Sequence, residues 1–332
     1  MRCSRALATA LIMLASACGS GSGSFGSGPS PSSQLSPSAS PVPQLTVSAS
    51  PTPVLPPTVF GACRLPVGIR YTQGEAPGGW LNLPSGDFSR DPSSNGVQPA
   101  NVIAWDAGIG RWVPAEPESV SPDGSTYLSA DSGGFRIVDA RSGATLHETR
   151  TGDVFPNHVI GYTASGIYLR AQGISPPPGL WRLDPSTGAL SRISSAPGFW
   201  EIVDSATAWG TDTAATVRRM DLATGVANDI YTSGHKSVDV AGFVGERALV
   251  FEFGDTNGPF AASAVGSDGS TEPVAIPAGM QSKIISGSFQ DGSIVLIYGH
   301  GFGLAAYDVT HSLNLLTTTP EITVVFGRCT PV

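Results

Sequence analysis

Lysine is almost absent from this 332-residue chain: Lys236 and Lys283 stand against 16 arginines. Charged residues make up 13% of it, and the acidic ones prevail to leave a net charge of −8. That balance excludes nucleic acid as a partner, which needs a basic face. Long apolar runs are missing too. Ala6–Leu14 spans nine residues, too short for the roughly 20 that cross a bilayer as a helix. No stretch beyond residue 60 keeps a 3.6-residue apolar period over ten positions, which argues against long helices. Also absent are a Gly-x-Ser-x-Gly elbow, a phosphate-binding glycine loop, a Cys-x-x-Cys pair and a calcium loop of alternating acids. These absences supply no catalytic residue, no cofactor and no metal site, and they weigh toward a protein that is not an enzyme.

Glycine and proline are plentiful, at 41 and 28, and they fall into a pattern. Five segments end a strand-like run with aspartate and place a small residue four positions later. They are Asp106-Ala-Gly-Ile-Gly110, Asp139-Ala-Arg-Ser-Gly143, Asp184-Pro-Ser-Thr-Gly188, Asp221-Leu-Ala-Thr-Gly225 and Asp308-Val-Thr-His-Ser312. A sixth, Val265-Gly-Ser-Asp-Gly269, keeps only the glycine. The aspartate can accept hydrogen bonds from the turn's own N–H groups, and glycine supplies the positive φ that closes it. Successive anchors lie 33, 45, 37, 44 and 43 residues apart. A period of about 40–45 residues is that of a propeller blade. The expected fold is therefore all-β: a single propeller of six four-stranded blades, occupying residues 61–332.

The third to sixth units each read outward from their anchors as four short strands, and the second as three, Thr126–Ala130, Phe135–Asp139 and Thr145–Thr149, after the turn Ser121–Ser125. The first is irregular. Gly79–Leu83, Val102–Asp106 and Arg111–Val113 read as three of its strands, and the loop Pro84–Ala100 interrupts it. Its fourth strand is either Leu65–Tyr71 or, from the far end, Ile322–Gly327. The second choice pairs the domain termini and removes exposed sheet edges. Cys63 and Cys329 sit at the two boundaries of the repeats, 266 residues apart, and are expected to form a disulfide in an oxidising compartment.

Before the repeats come two further segments. Arg2, Arg5, the run Ala6–Leu14 and the small residues Ala15-Ser16-Ala17 have the layout of a secretory signal over residues 1–17. The cysteine that follows, Cys18, makes the site resemble the lipobox of bacterial lipoproteins, with Ala15 where leucine is commonest. The resemblance implies acylation of Cys18 and anchoring at the membrane of the cell envelope; an ordinary signal would give a secreted protein. From Gly19 to Pro57 there is no charged residue, so residues 18–60 read as a Ser-, Pro- and Gly-rich tether. Without the signal the chain carries 16 basic and 26 acidic residues, a net charge of −10.

Ile137-Val-Asp-Ala-Arg-Ser-Gly143, Leu183-Asp-Pro-Ser-Thr-Gly188 and Met220-Asp-Leu-Ala-Thr-Gly225 resemble the Asp-x-x-Thr-Gly turns of bacterial WD40-like and quinoprotein-like propellers. Ser121-Pro-Asp-Gly-Ser125 resembles the turn of the TolB-type subset. This likeness covers about residues 63–329 and implies fold alone, because the motifs encode turns. Where quinoprotein repeats carry tryptophan, this chain has His147, Arg192 and Asp229.

Function in such a scaffold is expected on its variable loops, here Pro84–Ala100, Gln172–Gly179, Gly254–Pro259 and Gly299–Gly301. The candidate ligand face comprises His158, His235, His300 and Asp255, with Asp153 and Asp212 as neighbours. Trp80, Trp105 and Trp112 read either as inter-blade core or as a sugar-stacking platform. The functional expectation is a monomeric, membrane-anchored extracytoplasmic module that binds a protein, peptide or glycan. The competing expectation is an extracytoplasmic hydrolase or lactonase with its site over the central channel.

Overall fold

Short runs rich in β-branched and aromatic residues, each cut off by Gly, Pro or Asp, satisfy their backbone groups by pairing laterally. The computed structural model describes residues 61–69, 76–97, 103–131, 134–150, 156–171, 178–212, 215–254, 259–281, 283–317 and 322–332, all within the compact unit Pro53–Val332. The first sheet contains β1 (Cys63–Ile69), β2 (Gly78–Leu83) and β3 (Asp87–Arg90). A separate hairpin follows, β4 (Ala104–Asp106) with β5 (Arg111–Val113). Strands β6 (Thr126–Asp131), β7 (Gly134–Asp139) and β8 (Thr145–Arg150) form the second blade, with Val120 bridging to Tyr127 in the fourth position.

Four complete blades come next. The third comprises β9 (Pro156–Thr163), β10 (Gly166–Ala171), β11 (Pro178–Leu183) and β12 (Leu190–Pro197). The fourth comprises β13 (Phe199–Val203), β14 (Thr207–Thr211), β15 (Thr216–Asp221) and β16 (Ala227–Thr232). The fifth comprises β17 (Ser237–Val244), β18 (Arg247–Phe253), β19 (Pro259–Gly266) and β20 (Thr271–Pro273). The sixth comprises β21 (Ile284–Asp291), β22 (Ile294–His300), β23 (Gly303–Tyr307) and β24 (Leu313–Thr317). Finally β25 (Ile322–Val325) and β26 (Thr330–Pro331) return to the first sheet, where both pair with β1. The protein is a six-blade β-propeller. Among the described residues, helix is limited to two 3₁₀ segments, Pro92–Gly96 and Pro117–Ser119.

A sheet that is apolar on both faces must be covered on both, and here each blade covers its neighbour. Phe135 and Ile137 pack against Ile167 and Leu169 of the third blade. Tyr168 and Leu180 meet Trp200 and Met220 of the fourth, and Trp209 and Val217 meet Val240 and Val250 of the fifth. Leu249 and Phe251 meet Val295 and Ile297 of the sixth. Leu296 and Leu304 then meet Leu65 and Leu81 of the first sheet.

The aspartate turns form as their chemistry demands. The Oδ1 atoms of Asp106, Asp139, Asp184, Asp221 and Asp308 each accept from a turn N–H at 2.6–2.9 Å. Gly143, Gly188 and Gly225 take φ of 70–74° and donate back to the carbonyls of Asp139, Asp184 and Asp221. The one turn without glycine closes differently. His311 itself adopts φ 53° and donates to the carbonyl of Asp308.

The first unit differs from the expectation. Both alternatives for its fourth strand are present, since Leu65 lies in β1 and Ile322 opens β25, and they pair with each other. The segment around Asp106 belongs to neither blade. Its turn encodes a hairpin, and the hairpin β4–β5 is a wedge between the first and second blades. On one side Trp112 and Ile103 pack with Trp80 and Phe326; on the other Ala104 and Val113 pack with Tyr127 and Val138. The expected loop Pro84–Ala100 contains β3 and a 3₁₀ segment. Strand β3, Asp87-Phe-Ser-Arg90, is exposed or half-buried throughout, so it carries no apolar signature.

Cys63 and Cys329 are disulfide-bonded, with Cα atoms 5.8 Å apart. The bond sits beside β26, which pairs Cys63 with Pro331. Replacing both cysteines by serine should lower unfolding free energy by about 2–5 kcal/mol in urea titrations while leaving the far-ultraviolet spectrum intact. Deleting Ile322–Val332 removes the bond and a strand together, so this variant should fail to give a cooperative transition at all.

Candidate functional site

Strands β9, β13, β17 and β21 are each the edge strand of their sheet, and together with β25 and residues 116–124 they line one cavity of about 960 Å³. This is the axial channel of the propeller. Each of the four strands carries a one-residue β-bulge at its wall. In β13, Trp200 faces Gly210 and Ile202 faces Trp209, which leaves Glu201 unpaired. The same skip leaves Ile160 extra in β9, Ala241 in β17 and Ser286 in β21. A bulge re-aims a side chain that regular alternation would place elsewhere, and all four extra residues line the channel. Glycine makes room beside the bulges. A Cβ on Gly242 would lie 2.6 Å from Val295, and one on Gly287 would lie 2.6 Å from Tyr298 Oη.

The charged groups gather near the start of these inner strands. Glu201 Oε2 accepts from Val240 N of the next blade at 3.0 Å, and the Glu201 and Asp239 carboxyls hydrogen-bond each other. Two carboxyls can do this only by sharing a proton. Burial, then the adjacent Asp239, holds Glu201 well above the usual carboxylate range. Asp239 is also raised by burial, against the pull of Glu201 and Arg170. The pair titrates as a unit.

Arg170, on β10, lies opposite His158 of β9. Its Nε is buried without a hydrogen-bond partner. Burial and the Arg170 charge push His158 down to about 4, so its imidazole is neutral near pH 7. Glu118, from the segment Pro117–Ser119, is pushed up to about 7 by burial and by Glu116. Tyr298 of β22 is raised by burial and by these two carboxylates. Asp106, 1% exposed, also lines the cavity; its Oδ1 accepts from Gly108 N and Ile109 N, whereas Oδ2 has no partner.

Of the candidate histidines and aspartates His158 lines the channel, and Trp105 of the tryptophan cluster lines it too. His235 lies between β16 and β17, with Nε2 3.9 Å from Glu252 Oε2. His300 closes β22 and is exposed. Asp212 accepts from Thr216 N. Asp153, Asp255 and Cys18 lie outside the described residues. Trp80 and Trp112 are core, 6% and 4% exposed, and both indoles donate to Asp91 Oδ2 at 3.0 Å. Glu201 and Asp239 escaped the sequence reading. Their signal was present, a lone acid inside an apolar strand in Phe199-Trp-Glu-Ile-Val203 and Val238-Asp-Val240. Among the described residues, no group of three or more His, Cys, Asp or Glu is placed to hold a metal ion.

No family model matches the chain, and no curated protein matches it in sequence. Solved structures match in fold. The chain is similar to TolB from Agrobacterium tumefaciens at 14% identity, over 64% of this chain and 84% of that one, with a TM-score of 0.46. BamB from Moraxella catarrhalis matches at 10% identity over 64% and 76%, with a TM-score of 0.38. The computationally designed protein Ika8 matches at 12% identity and a TM-score of 0.41, and the chain spans 61% of its length.

A carboxyl whose pKa is raised on folding holds its proton more tightly in the folded state. Its contribution to stability is full below the unfolded value of about 4.3 for Glu and is lost as pH rises toward the folded value. Glu201→Gln keeps a neutral group that can accept from Val240 and donate to Asp239. In urea titrations between pH 4 and pH 8, this variant should therefore gain stability over the parent as pH rises. A constant difference across the range would show that Glu201 carries no raised pKa.

Proposed function

We propose that the chain is a membrane-anchored extracytoplasmic propeller that binds a protein, peptide or glycan at the mouth of its axial channel. The observation that carries this reading is the channel wall itself. Three successive blades bring His158, Arg170, Glu201 and Asp239 to one end of a cavity of about 960 Å³, within the roughly 300–1,000 Å³ typical of ligand sites. By strand register, that end is the start of β9 and the end of β10. Sites on a rigid scaffold with variable loops are where binding usually resides.

Anchoring rests on the N-terminal sequence: the basic start, the run Ala6–Leu14, the small residues before Cys18 and the uncharged tether that follows. The disulfide Cys63–Cys329 fits an oxidising compartment. Among the described residues no helix is long and apolar enough to cross a membrane, so attachment falls to the acyl chains on Cys18.

The hydrolase reading keeps one specific observation in its favour. A carboxyl pair that shares a proton offers a general acid and a general base side by side. The two readings part on turnover: a hydrolase should lose it in Glu201→Gln, whereas a binding module shows none in the parent either.

Two measurements test the proposal. In detergent-phase partitioning, the parent should enter the detergent phase and Cys18→Ala should remain in the aqueous phase. A mature N-terminus at any residue other than Cys18 would overturn the anchor. Peptide and glycan arrays probed with the mature chain should yield a ligand whose binding changes when Arg170 or Asp239 is replaced. Binding that ignores both replacements would move the site away from the channel.

A further inference from the structure

The channel is short of positive charge. Glu116, Glu118, Glu201, Asp239, Asp106 and Asp204 line it, against Arg170 and Arg328 alone. Asp106 is an independent sign that the deficit concerns a ligand. It lines this cavity and is 1% exposed, yet its Oδ2 has no hydrogen-bond partner, a costly arrangement for a carboxylate. Between the charged groups the wall is apolar, with Ile160, Ile202, Val203, Val240, Ala241 and Val324.

We propose that the channel receives a basic side chain, the lysine or arginine of a peptide, whose cationic end is drawn in by the carboxyls that line it, Glu118 and the Glu201–Asp239 pair. This rests on the binding reading above and names its ligand class. An apolar stem ending in a cation matches a wall that alternates apolar side chains with carboxyls. An amino sugar matches it less well, because it has no apolar stem for these side chains to cover. The peptide also supplies what Arg170 lacks: a backbone carbonyl can accept from the buried Nε.

Binding is then coupled to protons. Glu118, at about 7, and the Glu201–Asp239 pair must release protons to solvent as the cation enters. The groups that face them are His158 of β9, Arg170 of β10, Glu116 and Tyr298 of β22. His158 is neutral over the range concerned, so the carboxyls set the pH dependence, and affinity should rise from pH 5 to pH 8.

The mature full-length chain is titrated by calorimetry with four probes. They are a capped alanine pentapeptide with one central lysine, its acetyl-lysine and glutamate counterparts, and glucosamine. The lysine peptide should bind at least about tenfold more tightly than the other three, and more tightly at pH 8 than at pH 5. Asp239→Asn and Glu118→Gln should each weaken it by at least about tenfold. Arg170→Gln should strengthen it, a gain that damaged folding cannot produce. Equal affinity for lysine and acetyl-lysine peptides, or affinity that falls toward pH 8, overturns the inference. If the glutamate peptide or glucosamine binds best, and binding depends on Arg170 or Asp239, the ligand class is wrong and the binding site stands. If no probe binds and the arrays yield nothing, the binding reading fails with it.

Discussion

A β-strand alternates its side chains with a period of two, so a strand at the wall of a channel shows every second residue to the lumen. Strands β13, β17 and β21 each break that period once and β9 twice, and the freed residues Ile160, Glu201, Ala241 and Ser286 line the channel. The rest of the architecture depends on this interruption being local. Beyond the bulge, the next strand must still present apolar residues to the neighbouring blade, as Ala208 and Trp209 of β14 do on opposite faces. One inserted residue shifts the wall and leaves the inter-blade cores in phase. Glu201 occupies the bulge in β13, and its carboxyl reaches the backbone of β17 at Val240. A lumen-facing acid thus also ties two blades together, as Gln290 does between β21 and Phe243 of β17.

The channel wall is completed by a strand from the far end of the chain. β25 follows the sixth blade in sequence but pairs with β1, so the first sheet is built from both ends of the domain. Such a sheet forms late, because nothing local holds its two parts together and closing a loop of this length carries an entropic cost. The disulfide fixes the same junction covalently. Next to it sits the hairpin β4–β5, whose Trp105 N donates to Phe326 O at 2.8 Å. The three tryptophans fill the space that a wedge between two blades opens, with ring centroids 4.6–5.9 Å apart.

Sequence signals written in neighbouring residues were legible, and signals that depend on closure were not. Aspartate followed by a turn glycine specifies its own hydrogen bonds, so the hairpins of blades two to six were readable. The same motif at Asp106 was equally readable as a hairpin, yet its membership of a blade is a long-range matter, and there the reading erred. Strand β3 escaped because an outer strand in contact with solvent needs no apolar pattern. Two of the three candidate histidines lie elsewhere than the channel for a related reason. Blade spacing gives the position of a residue along a strand, whereas inward direction depends on the bulge, and Glu201 becomes an extra residue only by comparison with Gly210 and Trp209 across the sheet.

An amide could make the tie from β13 to Val240 of β17, so the fold itself does not require the acids it keeps in the channel. Buried carboxyls cost free energy that an amide or an apolar group of similar size would not. Glu201 and Asp239 reduce that cost by sharing a proton, and Arg170 reduces it further by its charge. None of these reaches the saving of a neutral lining, and the neighbouring wall positions Ile160 and Ala241 show that bulged residues here can be apolar. Natural chains sit just above the stability they need, so a burden of this kind is retained where an activity depends on it. Strongly shifted ionisable groups at a cavity wall mark functional sites more often than structural ones. Glu201 and Asp239 are therefore the part of the channel wall whose retention packing alone does not explain.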